Sequence, residues 1–220
     1  MDIGNLVLYK NNQLIAFNKP ATIGVQPDKT EDKALLNFAE IYCKSSLYVV
    51  HRLDRPATGV VLFAKNKKAL ANLNQQFKDR TIKKTYLAVV KNTPENPEGH
   101  LVHYVYKNNT KNKSVATTEE SPGTKKAELK YKVIGQSDNY SLLEIELITG
   151  RFHQIRSQLA AIGCPIRGDV KYGFKRGNKD RSIHLHAWKL RFTHPVSEEL
   201  VELVAPLPED SVWDAFSVEV

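Results

Sequence analysis

The 220-residue sequence is poor in cysteine: it has only Cys43 and Cys164, which lie far apart in the chain. Two distant cysteines cannot form a disulfide framework, and disulfides are rare in reducing compartments. We therefore expect a cytoplasmic protein whose stability comes from an ordinary hydrophobic core.

Long apolar runs and ligand clusters are absent as well. No stretch of about 20 apolar residues is available for a transmembrane helix, and the first ten residues, MDIGNLVLYK, lack the pattern of a signal peptide. Neither cysteine belongs to a Cys-x-x-Cys pair, no phosphate-binding glycine loop is present, and His184 and His186 lack further ligands at a metal-binding spacing. We expect no membrane association, no metal and no cofactor, with the two histidines in structural roles.

Acidic residues are outnumbered. The 32 Lys and Arg against 24 Asp and Glu give a formal charge of +8. This excess favours a polyanionic partner, with nucleic acid ahead of a membrane, although plain solubility would explain the charge equally well.

The periodicity of apolar residues predicts an α+β fold with a largely antiparallel central sheet and flanking helices. Consecutive strand patterns favour antiparallel pairing, and we interpret residues 1–220 as one domain. The expected elements are a hairpin around Asn11 and Asn12, a helix over 30–42, strands in SLYVVHRLD and GVVLFAK, a helix in NKKALANLNQQFKDR, four strands between residues 83 and 148, a helix in RFHQIRSQLAAIG, and two closing strands, with Lys107 to Thr124 as a flexible loop.

The first candidate site is HRLDRPATG, in which Asp54 stands between Arg52 and Arg55 at the expected end of a buried strand. Pro56 and Gly59 favour a turn directly after it. An aspartate before a turn often binds nearby backbone N–H groups, so Asp54 is either a turn-stabilising residue or a reacting group.

The second candidate is Arg156. With Gly150 at the helix start, the apolar stripe consists of Phe152, Ile155, Leu159 and Ile162. Arg156 falls at the edge of this stripe, where a guanidinium requires a carboxylate partner or must extend to water. Asp54 is a natural partner, and such a pair would keep the aspartate ionised, as a nucleophile requires.

Four blocks resemble the RluA-type RNA pseudouridine synthases. HRLDRPATGVVLFAK is similar to the family signature, and GRFHQIRSQLAAIGCPIRGDVKYG to its second block. KKTYLAVV and LIAFNKPATIGV match the tyrosine strand and the opening Asn-Lys-Pro segment, and all four occur in the family's order. The chain departs from the family at Ala57-Thr58, where Thr-Ser is usual, and at Gln26, where histidine is common; these departures concern the substrate rather than the reaction.

The resemblance implies a uridine-to-pseudouridine isomerisation that needs no cofactor. Asp54 corresponds to the catalytic aspartate, Arg156 to the arginine that pairs with it, and Tyr86 to the tyrosine that stacks on the target base. Without the family, Tyr86 would be read as an ordinary strand aromatic. The family's arginine at the position of Arg52 fills the space that the flipped base leaves in the RNA stack, and a phosphate contact is the alternative role. We also expect Arg55 and Lys19 to contact RNA.

The resemblance therefore implies a stand-alone, monomeric synthase, with residues 1–220 as one catalytic domain that has a basic active-site cleft. We expect no additional N-terminal RNA-binding domain, no obligate protein partner, and structured transfer or ribosomal RNA as the substrate. A catalytically silent RNA-binding module and a glycosidase-like hydrolase are the alternatives. The hydrolase would require a second paired carboxylate, which is not evident beside Asp54.

Overall fold

A computed structural model describes residues 2–28 and 32–216. Within these residues the chain forms four α-helices, α1 (Leu35–Cys43), α2 (Lys67–Lys78), α3 (Gln154–Ala161) and α4 (Ser211–Asp214), and two 3-10 turns, Gly4–Leu6 and Val170–Tyr172. The eleven strands of the same residues are β1 (Val7–Lys10), β2 (Leu14–Lys19), β3 (Tyr48–Val49), β4 (Thr58–Ala64), β5 (Lys83–Lys91), β6 (Glu98–Asn108), β7 (Lys113–Thr117), β8 (Lys125–Gln136), β9 (Tyr140–Leu147), β10 (Leu185–Thr193) and β11 (Leu200–Val204).

The predicted α+β class with largely antiparallel pairing is confirmed. The described residues divide into two compact units, one formed by residues up to Lys84 together with Ala187–Pro208, and one formed by Thr85–His186 together with residues 209–216. The single-domain organisation stays a prediction. No helix of the described residues is long and apolar enough to cross a membrane.

In the first unit, β2 pairs with both β1 and β4 in antiparallel fashion, and β11 pairs with β10. Every residue of β4 is buried because both of its faces are covered. One face carries Val60, Leu62 and Ala64, which pack with Ala69 and Leu73 of α2 in one apolar cluster. On the other face, the rings of Phe63 and Phe17 meet edge to face, and Phe17 in turn meets Tyr42 of α1.

The second unit is built on the antiparallel strand order β5-β9-β8-β6-β7. Helix α3 contributes Ile155 and Leu159 to its core. The buried Gln158 attaches α3 to the sheet, since its amide nitrogen donates to the carbonyls of Leu101 and Ala127 at 3.3 and 3.2 Å. Helix α3 is therefore fixed by both apolar packing and hydrogen bonds.

Two predicted helix starts are wrong. The helix expected over 30–42 begins at Leu35, and residues 29–31 lie outside the described residues. Its first N–H groups, those of Leu35 and Leu36, donate to the carbonyls of Gly24 and Val25. Helix α3 begins at Gln154 rather than near Gly150, so the half-buried Phe152 precedes the helix and does not belong to its apolar stripe.

Two strand predictions also need correction. The strand expected to run up to Asp54 is limited to Tyr48–Val49, and residues 50–54 belong to no ladder. The predicted flexible loop from Lys107 to Thr124 contains the end of β6, the turn at 109–112, strand β7 and the segment that leads to β8. Strand β7 pairs with β6 in antiparallel fashion, and its buried Ser114 is also held by a non-local contact, the donation of its hydroxyl to the carbonyl of Phe152 at 2.5 Å.

Candidate active site

Asp54 lies in the first unit on the segment between β3 and β4. The N–H of Ala57 donates to the backbone carbonyl of Asp54 at 3.1 Å and closes a turn. Gly59, the second residue of the buried β4, has a φ of 112°, and a Cβ there would lie 2.2 Å from the carbonyl oxygen of Ala187. Only glycine tolerates this conformation and this close approach, so Gly59 fixes the path by which the Asp54 turn enters the sheet.

Lys19 is completely buried at the end of β2. Its ammonium donates to the carbonyls of Pro20, Ile23 and Arg55 at 2.8, 3.0 and 3.1 Å. Burial lowers the pKa of Lys19 to about 7, and the attraction of Asp54 opposes this shift. The ammonium thus holds the backbone of the Asp54 turn from inside. The predicted RNA contact of Lys19 stays a prediction, and this burial does not favour it.

The depressed pKa of Lys19 has a consequence for stability. Because the folded value of about 7 lies below the unfolded value of about 10.4, the unfolded chain binds the additional proton between these two pH values. The free energy of unfolding should therefore rise from pH 7 to pH 10, with a slope of up to about 1.4 kcal/mol per pH unit from this residue.

Urea denaturation across this pH range tests the expectation on wild type and Lys19→Met. The free energy of unfolding of wild type, minus that of the variant, should increase with pH, whereas the same difference for the exposed Lys67→Met should stay constant. A constant difference for Lys19→Met would contradict the assignment.

The arginines that flank Asp54 differ in their surroundings. Arg52 is exposed. Arg55 is bound by Asp32 at 2.8 Å and by Asp28 at 3.3 Å, in partly exposed ion pairs. These carboxylates raise the pKa of Arg55, with the hydrogen bond that Arg55 donates to Asp32 as the largest cause. The predicted RNA contacts of both arginines stay predictions.

His51 has structural contacts, as expected. Its Nε2 accepts the N–H of Leu62 at 3.2 Å, and its ring lies 5.6 Å from that of Phe77. Burial, reinforced by the nearby Lys84, lowers the pKa of His51 to about 4. His51 is therefore neutral at physiological pH and anchors the segment before Asp54 to β4.

Tyr86 and Arg156 belong to the second unit. Tyr86 is 8% exposed on β5, opposite Ile145 of β9. The contact expected between Arg156 and Asp54, which lies in the first unit, stays a prediction.

Arg156 has a carboxylate partner that the sequence reasoning missed. Its Nε and Nη2 donate to the two carboxylate oxygens of Asp169 at 2.7 and 2.8 Å. Both side chains are buried, at 5% and 1% exposure. A bidentate pair of this kind fixes the plane of the guanidinium. The signal in the sequence was the Gly168-Asp169 pair, which follows α3 by a few residues.

Tyr172 lies beside this ion pair. Its ring centroid is 4.9 Å from the guanidinium carbon of Arg156, and its hydroxyl oxygen accepts the N–H of Ser114 at 2.7 Å. The same hydroxyl lies 2.9 Å from Nδ1 of His153. The pKa of His153 is lowered to about 3, first by burial and then by the positive Arg156. Tyr172 therefore contacts β7 through Ser114, the start of α3 through His153, and the guanidinium of Arg156 through its ring.

His184 is likewise held by protein groups, with Asp210 at 3.1 Å from its Nε2 and the amide of Asn178 at 3.1 Å from its Nδ1. Residues 2–28 and 32–216 contain no cluster of three or more His, Cys, Asp or Glu side chains that would suit a metal ion. Cys43 and Cys164 are free thiols.

The chain is similar to several known proteins. The sequence profile of the RNA pseudouridylate synthase family matches residues 13–161. The uncharacterized RNA pseudouridine synthase MG209 of Mycoplasma genitalium is 35% identical, with 91% of this chain and 66% of the relative aligned. The ribosomal large subunit pseudouridine synthase C of Vibrio vulnificus is 32% identical, over 94% of this chain and 67% of the relative. The chain thus spans about two thirds of the length of these relatives.

Among solved structures, human RNA pseudouridylate synthase domain containing 1 superposes with a TM-score of 0.78 at 27% identity, covering 95% of this chain and 86% of the human chain. The fold and the profile match define an RNA pseudouridylate synthase. The chain belongs to this family, and to the RluA type that its four sequence blocks resemble.

Proposed function

We propose that this chain isomerises uridine to pseudouridine in structured RNA, with Asp54 as the nucleophile. The observation that carries the proposal is the family match over residues 13–161, because this range includes Asp54, Tyr86 and Arg156. The turn around Asp54 supports it further, since Lys19 and Gly59 hold its backbone in one position.

The reaction is an isomerisation, so every atom of the uridine is retained. The bond between N1 of uracil and C1′ of ribose breaks, the base turns over, and C5 forms a new bond to C1′. C5 then loses its proton and N1 gains one. Asp54 either bonds to the sugar or stabilises a glycal-type intermediate; both roles need an ionised carboxylate. Tyr86 stacks on the base and assists the removal of the C5 proton.

Access to Asp54 requires that the target uridine leave its stack, which takes a few kcal/mol. Arg52 is exposed two residues before Asp54. A planar guanidinium at this place can fill the vacated position and make cation–π contacts with neighbouring bases. Arg156, oriented by Asp169, then supplies the positive charge that the reacting carboxylate needs.

Ribosomal RNA is the first substrate to test, because the relative in Vibrio vulnificus and one in Zymomonas mobilis carry the name ribosomal large subunit pseudouridine synthase. Transfer RNA is the alternative.

Pseudouridine mapping of total RNA from cells with and without the gene tests the function. We expect one or a few positions to lose pseudouridine in the deletion strain and to regain it when the wild-type chain is supplied. Free uracil with abasic RNA would instead indicate a hydrolase, and RNA binding without any modified position would indicate a silent binding module. Either result would overturn the proposal.

A further inference from the structure

Four lysines of the second unit form a surface that the reaction described above does not use. Lys107, Lys111 and Lys113 lie on the β6–β7 hairpin, and Lys171 lies on the turn Val170–Tyr172. Lys171 joins the hairpin directly, because its ammonium donates to the carbonyl of Asn112 at 3.1 Å. We call these four residues the hairpin surface.

Three of the four ammonium groups are held in place by neutral partners. Lys107 lies 4.5 Å from the ring centroid of Phe152, Lys113 lies 4.9 Å from that of Tyr172, and Lys171 has its bond to Asn112. A flexible lysine loses side-chain freedom when it binds an anion, and a lysine that is already oriented loses less. The hairpin surface is thus prepared for anionic groups.

Acidic residues are few in the segments that carry this surface. Neither the segment 99–118 nor the segment 147–168 contains an aspartate or glutamate, and the next acid, Asp169, is bound to Arg156. Within the described part of the chain, none of the four lysines has a carboxylate within ion-pair distance. The lysines of β8 differ, since Lys130 and Lys132 face Glu146 and Glu144 across the strand pair.

The hairpin surface is connected to the candidate catalytic arginine through Tyr172. The ring of Tyr172 lies 4.9 Å from both Arg156 and Lys113, and its hydroxyl accepts the N–H of Ser114 on β7. An anion bound by these lysines would therefore lie on the elements that orient Arg156.

We propose that the hairpin surface binds phosphates of the RNA stem that carries the target uridine. The inference rests on the proposed function. Charge complementarity selects this occupant: oriented lysines without acidic neighbours suit a polyanion, and phosphate contacts fix the register of a nucleic acid without reading its sequence. An acidic protein is the competing partner, and the experiment distinguishes the two.

The test compares three variants of the whole chain by their binding to a fluorescent 16-base-pair RNA stem-loop at several salt concentrations. Lys107, Lys113 and Lys171 are changed together to Gln, or together to Arg. The control changes three exposed lysines of α2, Lys67, Lys68 and Lys78, to Gln, with the same loss of charge. Each lost phosphate contact should reduce the slope of log K against log salt by about one.

In the hairpin Gln variant, we expect the slope of log K against log salt to be smaller by about three than in wild type. The kinetic effect of this variant should appear in KM. The Arg variant should bind like wild type, and the α2 variant should keep the wild-type slope. An unchanged slope in the hairpin Gln variant, or equal competition by polyglutamate of the same total charge, would overturn the inference. An inactive wild type would instead refute the proposed function, because the binding slopes do not depend on turnover.

Discussion

Replacement of Asp54 by Asn is expected to abolish pseudouridine formation, with a loss on the order of 10⁴-fold or more, while the affinity for RNA stays nearly unchanged. The substitution keeps the size of the side chain and removes the negative charge that bonds to or stabilises the sugar. RNA affinity is set mainly by cationic contacts to phosphates, so the loss of one carboxylate should not weaken binding. The measurement is single-turnover pseudouridine formation with the purified variant at saturating enzyme.

A matched control separates chemistry from structure in this experiment. Asp138→Asn removes the same charge from an exposed turn after β8 and should retain full activity. In Asp54→Asn, the buried Lys19 loses the attraction that supports its charged form, so the pKa of Lys19 should fall further. Measurable turnover by Asp54→Asn, free of wild-type enzyme, would refute Asp54 as the nucleophile.

Local sequence patterns predicted most of the fold. Helix α2 is confirmed over Lys67–Lys78 because the side chain of Asn66 caps it by accepting the N–H of Ala69 and because its apolar residues recur at helical spacing. The hairpin of β1 and β2 is confirmed, with Asn11 accepting the N–H groups of Gln13 and Leu14 in the turn. In both cases the deciding interactions lie within four residues of one another.

The errors arise where distant contacts decide the structure. Strand β7 is polar and follows a run of Asn, Thr and Lys, so its pattern is typical of a loop. Its Ser114 is nevertheless fixed by Phe152 and Tyr172, which are 38 and 58 residues away. Likewise, a lysine at the end of a strand ordinarily extends to solvent, and only the chain path around Arg55 shows why Lys19 is buried.

The candidate site was predictable in type but not in its contacts. A buried arginine on a helix requires a carboxylate, and this reasoning led correctly to an acidic partner for Arg156. It could not identify Asp169, because that residue lies beyond the end of α3, where helical spacing gives no geometry. Sequence therefore specified the chemistry that Arg156 needs, and the turn after the helix determined which carboxylate supplies it.

Replacement of Asp169 by Asn should be both destabilising and damaging to catalysis. Removing one partner of a buried ion pair leaves an uncompensated charge, which lowers the free energy of unfolding by about 3–5 kcal/mol. The Asn amide would also direct a donor at Nε or Nη2 of Arg156, where the carboxylate accepts two hydrogen bonds. Urea denaturation and single-turnover assays measure both effects. Asp138→Asn, the exposed change used above, is again the control, and we expect it to alter stability by less than about 1 kcal/mol.

A double-mutant cycle shows whether Asp169 acts through Arg156. Arg156→Met keeps a long apolar side chain and removes the charge, so the double variant Arg156→Met with Asp169→Asn should lose much less stability than the sum of the single changes. Arg156→Lys should restore the charge without the planar fork, giving activity between Arg156→Met and wild type. If Asp169 orients Arg156, Asp169→Asn should lower activity in the wild-type background and cause no further loss in Arg156→Met. Additive stability changes together with full activity of Asp169→Asn would contradict this role, since an orienting carboxylate can affect the reaction only through the arginine it holds.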